Sequence, residues 1–178
     1  EELEHIIRAS GAVTDQYEFV IVGSQSMLGC VPRPEPVFTV SMEADIYPLQ
    51  APDLADRIDG AIGEGSAFHQ THGYYAQGVG PDTAVLPGDW LQRVHRVQNG
   101  NTDGRVGYCL DPIDLFLAKA VAGREKDREF ITAMLQNEMI SDETITARIS
   151  QLGLPELEKN NILERWKRIM AAATRECG

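Results

Sequence analysis

Glu43 and Asp45, two carboxylates one residue apart, are the side chains in this sequence most suited to do chemistry. They sit in Val40-Ser41-Met42-Glu43-Ala44-Asp45-Ile46-Tyr47, which alternates as a strand does. Val40, Met42, Ala44 and Ile46 then make a core face, and Ser41, Glu43, Asp45 and Tyr47 share the other. Carboxylates one pleat apart repel each other unless a cation lies between them. Hard oxygen donors suit Mg²⁺ or Mn²⁺. An ordinary wetted strand face also carries acids at this spacing, so the surroundings decide the pair's meaning.

Two neighbouring stretches bear on it. Upstream, Phe19-Val20-Ile21-Val22 runs into Gly23-Ser24. The run is continuous and β-branched, which predicts a buried strand over Tyr17 to Val22. Ser24 is then a candidate cap for a helix over Gln25 to Cys30. A strand, turn and helix in that order aim backbone N–H groups at one point, where phosphate binds well. The alternative is a tight turn in which Gly23 serves backbone geometry alone. Downstream, Lys119, Arg124 and Lys126 offer cations for phosphate charge. On a continuous helix Lys119 and Lys126 share a face. A solvated charged face, with Arg124 and Asp127 paired three apart, is the alternative there.

Val22-Gly23-Ser24 followed by Glu43-Ala44-Asp45-Ile46 resembles the signature of the nucleotidyltransferase superfamily. The run from Asp114 to Asp127, ending Gly123-Arg124-Glu125-Lys126-Asp127, resembles the Lys…Arg-x-Lys-Asp helix of the bacterial branch with the AbiEii-like toxins. SMEADIYP, IDGAIGE, HGYYAQGVGP and AGREKD resemble bacterial proteins of the DUF6036 type, and the likeness covers Phe19 to Met134. The resemblance implies a Mg²⁺-dependent (or Mn²⁺-dependent) enzyme that moves NMP from an NTP to a hydroxyl acceptor. It implies Glu43 and Asp45 as metal ligands, with Gly23, Ser24, Lys119, Arg124 and Lys126 on the nucleotide. Lys119 and Asp127 would complete the catalytic site. It also implies a partner protein, toxin or antitoxin. The first carboxylate departs from the pattern, being Glu43 where the superfamily carries Asp. No third carboxylate stands out either, since Asp82, Asp89 and Asp103 fall in predicted loops. An inactive module of the same fold, binding a nucleotide or a protein, is the second reading.

The elements that must hold these residues follow from periodicity. Glu2 to Ser10 predicts an amphipathic helix ended by Gly11. Pro32, Pro34 and Pro36 stiffen the loop before a strand over Val37 to Tyr47. Pro52 opens a helix to Ile62, and Gly63, Gly65 and Ser66 form a loop. Further strands are expected over Gly73 to Val79, Thr83 to Leu86, Leu91 to Val97 and Arg105 to Leu110, the last two joined at Asn99-Gly100-Asn101. Asp111-Pro112 starts a helix running to Asn137 with a break near Gly123, followed by helices over Asp142 to Leu152 and Glu156 to Thr174. The expected fold is α+β, a mixed and mostly antiparallel nucleotidyltransferase-like sheet with flanking helices. Residues 1–122 form the core, and residues 123–178 a helical region packed on it.

Bulk properties narrow the partners. The net charge of −11 is concentrated early, with 11 acidic and 3 basic residues from Glu1 to Gly60. Such a field repels polyanions, which argues against bulk nucleic-acid binding and leaves room for a local patch such as Arg165-Trp166-Lys167-Arg168. No apolar run reaches membrane-spanning length. The start, Glu1-Glu2-Leu3-Glu4, lacks a signal-peptide core. Cys30, Cys109 and Cys177 form no C-x-x-C and read as reduced thiols, so a cytoplasmic protein is expected. His69 and His72 form H-x-x-H, better explained as loop and core residues than as metal ligands. Arg93, His95 and Arg96 read as a polar strand face. Tyr74 and Tyr75 suit sheet packing or stacking on a base.

Overall fold

The apolar run after Tyr17 becomes the middle strand of a five-stranded sheet, in a computed structural model that describes residues 1–137 and 139–176. The chain divides into two units, each taken by itself: a sheet unit of Glu1–Thr83 with Arg93–Asp111, and a helical unit of Ala84–Gln92 with the chain from Pro112 onward.

In the sheet unit the elements are α1 (Glu2–Thr14), β1 (Glu18–Ile21), α2 (Met27–Cys30), α3 (Pro36–Thr39), β2 (Glu43–Pro48), α4 (Ala55–Ile62), α5 (Ala67–His72), β3 (Tyr75–Gly78), β4 (His95–Val97) and β5 (Val106–Cys109). The strand order is β3-β2-β1-β5-β4. β1 runs antiparallel to β2 and parallel to β5, β2 runs parallel to β3, and β4 runs antiparallel to β5. The α+β fold with a mixed sheet is therefore as expected. Its pairings divide evenly between the two directions, which corrects the expectation of a mostly antiparallel sheet.

Alternation sorts the residues of each strand. Phe19, Ile21, Ala44, Ile46, Ala76 and Cys109 join Leu3, Ile6 and Ile7 of α1 and Ile58 and Ile62 of α4 in one buried cluster. Each large apolar side chain there contributes roughly 1.5–3 kcal/mol. α1 does not stop at Gly11 but continues to Thr14, with Asp15 closing it in the left-handed region. At position 11 a Cβ would meet the Arg105 side chain. There the glycine permits a close approach and does not terminate the helix.

Other expectations are corrected. The strand expected over Val37 to Tyr47 begins only at Glu43. Pro36 sets up a single helical turn instead, which buries Phe38 and leaves Val40 77% and Met42 59% exposed. Tyr47, expected on the wet face, is buried. The segment expected as a strand at Thr83 to Leu86 contains the end of a 3₁₀ turn, Pro81–Thr83, and no strand. Another such turn, Trp90–Gln92, precedes β4. The loop after Gly63 gives way to α5, whose first turn is capped by Ser66 accepting from the His69 N–H.

The helical unit holds α6 (Pro112–Ala122), α7 (Arg128–Gln136), α8 (Asp142–Ser150) and α9 (Glu156–Glu176). Gly123, at φ 60°, ends α6 in the left-handed region that favours glycine. A 3₁₀ turn, Glu125–Asp127, then leads into α7. Phe116 meets Trp166 edge-on at 4.7 Å, and the Trp166 indole donates to Asp142 Oδ1 at 2.7 Å. Ser141 caps α8 by accepting from the Thr144 N–H.

Cys30 and Cys109 are free thiols. Burial pushes Cys30 up to about 12 and Cys109 up as well, so both stay protonated near neutral pH. Cys177 lies outside the described residues. Among the described residues no helix is long and apolar enough to cross a membrane.

Candidate functional site

β2 carries Glu43 and Asp45 on the face opposite the buried cluster, with Ala44 and Ile46 turned inward between and beyond them. The parallel register with β3 sets Tyr75 beside Glu43 and Gln77 beside Asp45. The Tyr75 hydroxyl donates to Glu43 Oε2 at 3.1 Å. Burial, with the neighbouring Glu43 charge second, pushes the Tyr75 phenol up to about 12, so it remains a donor.

The Gly23-Ser24 turn leaves β1 immediately beside this pair. A Cβ on Gly23 would collide with Asp45 Oδ2, and the Val22 N–H donates to the Asp45 carbonyl at 3.0 Å. Gly23 is thus the residue whose missing side chain makes room for the Asp45 carboxylate at the turn. Gly23 stands before the 3₁₀ turn Ser24–Ser26, and Ser24 lies inside it. The expected Ser24 cap is corrected, since no side chain caps this turn. Below it, Ser26 Oγ donates to the Ile21 carbonyl at 2.6 Å, and the Gln25 amide donates to the Ser41 carbonyl. Gln25 and Ser26 are buried and pin the turn and the approach to β2 together. Their role was not visible in the sequence, because each bonds a backbone oxygen whose position depends on the fold.

The donor set suits a particular kind of metal binding. Mg²⁺ at nucleotide sites is typically held by one or two carboxylates, water and substrate phosphates. Two carboxylates on alternate residues beside the Gly23-Ser24 turn fit that arrangement. Among the described residues no group of three or more His, Cys, Asp or Glu gathers into a cage for a metal. Two acids considered as a third ligand are engaged elsewhere. Asp103 pairs with Arg105 at 2.7 Å, and Asp89 lies 3.6 Å from Arg148 within the helical unit. Gln77, a neutral amide, is what stands next to Asp45.

In the helical unit Lys119 of α6 bonds Asp127 Oδ1 at 2.5 Å, with only 12% and 8% of the two side chains exposed. Its ammonium also lies 4.4 Å from the centre of the Phe130 ring. Because Gly123 breaks the helix, Asp127 pairs with Lys119 and not with Arg124. The same break corrects the shared face expected for Lys119 and Lys126. Arg124 is exposed and lines a cavity with Lys119, whereas Lys126 is exposed and not among the residues lining it.

The histidines serve packing. His69 Nδ1 accepts from the Gly65 N–H at 3.0 Å, and its ring lies 4.6 Å from that of Tyr75. His72 packs on Phe68 and His5, each at 4.7 Å. His95 Nε2 meets Asp111 Oδ2 at 3.1 Å.

A family model described as "Nucleotidyltransferase of unknown function (DUF6036)" matches residues 1–172. No curated protein and no solved structure matches the chain. With nearly the whole sequence matched, this α+β chain belongs to the DUF6036 family of nucleotidyltransferases of unknown function.

Proposed function

We propose that the chain is a Mg²⁺-dependent nucleotidyltransferase that moves NMP from an NTP to a hydroxyl acceptor. The acceptor hydroxyl gives up its proton to solvent as its oxygen bonds the α-phosphorus, the bond from that phosphorus to the β-phosphate oxygen breaks, and pyrophosphate leaves. Such transfer needs positioning and charge neutralisation more than covalent catalysis. Glu43 and Asp45 act as the metal ligands. When bound, the ion neutralises phosphate charge and orients the reacting groups. Gly23 and Ser24 offer backbone N–H groups and a hydroxyl to the phosphates. Lys119, Arg124 and Lys126 balance pyrophosphate charge, and Asp127 holds the Lys119 ammonium in place. The observation that carries this reading is the space left at Gly23, which the Asp45 carboxylate occupies. Kinship with the AbiEii-like toxins, and a role beside a toxin or antitoxin protein, belong to the same proposal.

The test is transfer of label from each α-labelled NTP, with Mg²⁺ or Mn²⁺, to the protein itself, to RNA ends and to small hydroxyl compounds. Label transfer that Asp45→Asn abolishes is the expected result. Transfer that survives Asp45→Asn at full rate would refute the assignment.

One observation favours a second reading. Gln77 stands beside Asp45, and no third acid gathers with Glu43 and Asp45 among the described residues. That arrangement suits a module that binds nucleotide, or a protein partner, without turnover. Metal-dependent NTP binding with no label transfer to any acceptor would select it.

A further inference from the structure

Lys119, Arg124, Arg128, Arg165 and Arg168 line one cavity of about 270 Å³ in the helical unit, with Ile131 on its wall. The chain as a whole carries a charge of −11, yet five cations gather here against the single carboxylate of Glu125 among the lining residues. Like charges this close repel, so such a cluster is stable when wetted or when an anion joins it.

Three of the five have partners. Lys119 is tied to Asp127, and Arg128 donates to Glu125 Oε1 at 3.0 Å. Arg165 reaches from α9 to the end of α6 and donates to the Ala120 carbonyl at 3.0 Å. It can lie there because Gly123 has no side chain, since a Cβ at that position would run into the guanidinium. Among the described residues Arg124 and Arg168 have no ion-pair partner, so their donor forks are open. A guanidinium fork matches two oxygens of one phosphate.

We propose that this cavity is a polyphosphate-binding site, in which Arg124 and Arg168 grip the phosphates of a compact ligand and Arg165 lends a fixed third cation. The volume lies just under the range usual for small-ligand pockets, which suits a compact phosphate group and not an extended backbone. The acidic field of the whole chain also disfavours long polyanions. The polyphosphate has two sources, the triphosphate tail of an NTP or free pyrophosphate and its longer analogues. The inference deepens the reading above by adding Arg128, Arg165 and Arg168 to it, and shares Lys119 and Arg124 with it.

The test is calorimetry on the full chain with tripolyphosphate, pyrophosphate, an NTP and a single-stranded RNA oligonucleotide, without metal and at constant ionic strength. The variants are Arg124→Gln and Arg168→Gln, with Lys167→Gln beside Arg168 on α9 as a charge-matched control and Asp45→Ala to remove the proposed metal ligand. Far-ultraviolet circular dichroism and thermal unfolding establish that each variant is folded. The expected result is tripolyphosphate binding that each arginine variant weakens about tenfold and that Lys167→Gln leaves unchanged. A parallel loss of NTP affinity assigns the phosphates to a nucleotide, and an unchanged NTP affinity assigns them to free polyphosphate. No binding of tripolyphosphate at millimolar concentration would overturn the proposal, as would equal weakening by Lys167→Gln or stronger binding of single-stranded RNA. A parallel NTP titration with Mg²⁺, in which Asp45→Ala loses the gain the metal brings while tripolyphosphate binding stays intact, would separate the fate of the sheet-unit site from that of this cavity.

Discussion

Glu43 and Asp127 are both carboxylates withdrawn from full solvent, and the two units treat them differently. Asp127, 6% exposed, receives the Lys119 ammonium at 2.5 Å. Glu43 receives the neutral Tyr75 hydroxyl, and among the described residues no cation comes within ion-pair distance of it. A buried charge must be compensated within the fold, and Asp127 is. A half-buried carboxylate without a cation keeps its field for something from outside, and on β2 it does so one pleat from a second acid. At Glu43 the sheet unit therefore presents an uncompensated carboxylate, whereas at Asp127 the helical unit closes its ion pair, and its cavity presents arginines.

The largest test of this contrast is Lys119→Ala, which leaves Asp127 buried and unpaired. It is expected to cost about 3–5 kcal/mol in urea unfolding, and replacing both partners with apolar residues is expected to restore most of it. A loss below ~1 kcal/mol would show that the pair is not what holds α6 to the turn after Gly123. Gly23→Ala comes next. The new Cβ must displace Asp45, an overpacking change of about 1–3 kcal/mol. Metal-dependent NTP binding is expected to fall with it, and a variant of unchanged stability and affinity would contradict the contact.

The smallest effect is alkaline. The Tyr75 phenol is raised from 10.0 to about 12 by burial, with the Glu43 charge second. A group whose folded pKa is raised contributes stability below its unfolded value and loses it as pH climbs through the folded one. Stability is thus expected to decline between pH 10 and about 12, and Tyr75→Phe is expected to flatten that part of the decline. Ultraviolet titration of tyrosinate gives an independent reading. An early-titrating Tyr75, near its ordinary value, would separate it from Glu43.

Much of the sheet could be read from residue order because alternation is a local property. Ala44 and Ile46 turned inward, Glu43 and Asp45 turned outward, and β1 and its Gly23-Ser24 turn followed from a short apolar run. The break at Gly123 and the helix start at Pro112 were legible for the same reason. What failed depended on context. Val37 to Met42 has the composition of a strand, but Pro36 at a first helical position turned it into one helical turn with Val40 and Met42 in solvent. The Arg124–Asp127 pair, the alternative weighed for this run, assumed an unbroken helix, and with the break at Gly123 Lys119 meets Asp127 instead. The approach of Arg165 to α6 joins residues 45 apart in sequence, and no spacing rule reaches that far.

The most direct measurement is calorimetry of the four NTPs with and without Mg²⁺ or Mn²⁺, on the native chain and on Asp45→Ala. The account predicts binding that the metal strengthens and that Asp45→Ala returns to its metal-free level while the variant stays folded. Binding that ignores the metal, or that Asp45→Ala leaves intact, would contradict the claim that Glu43 and Asp45 receive a nucleotide-borne cation beside the Gly23 turn.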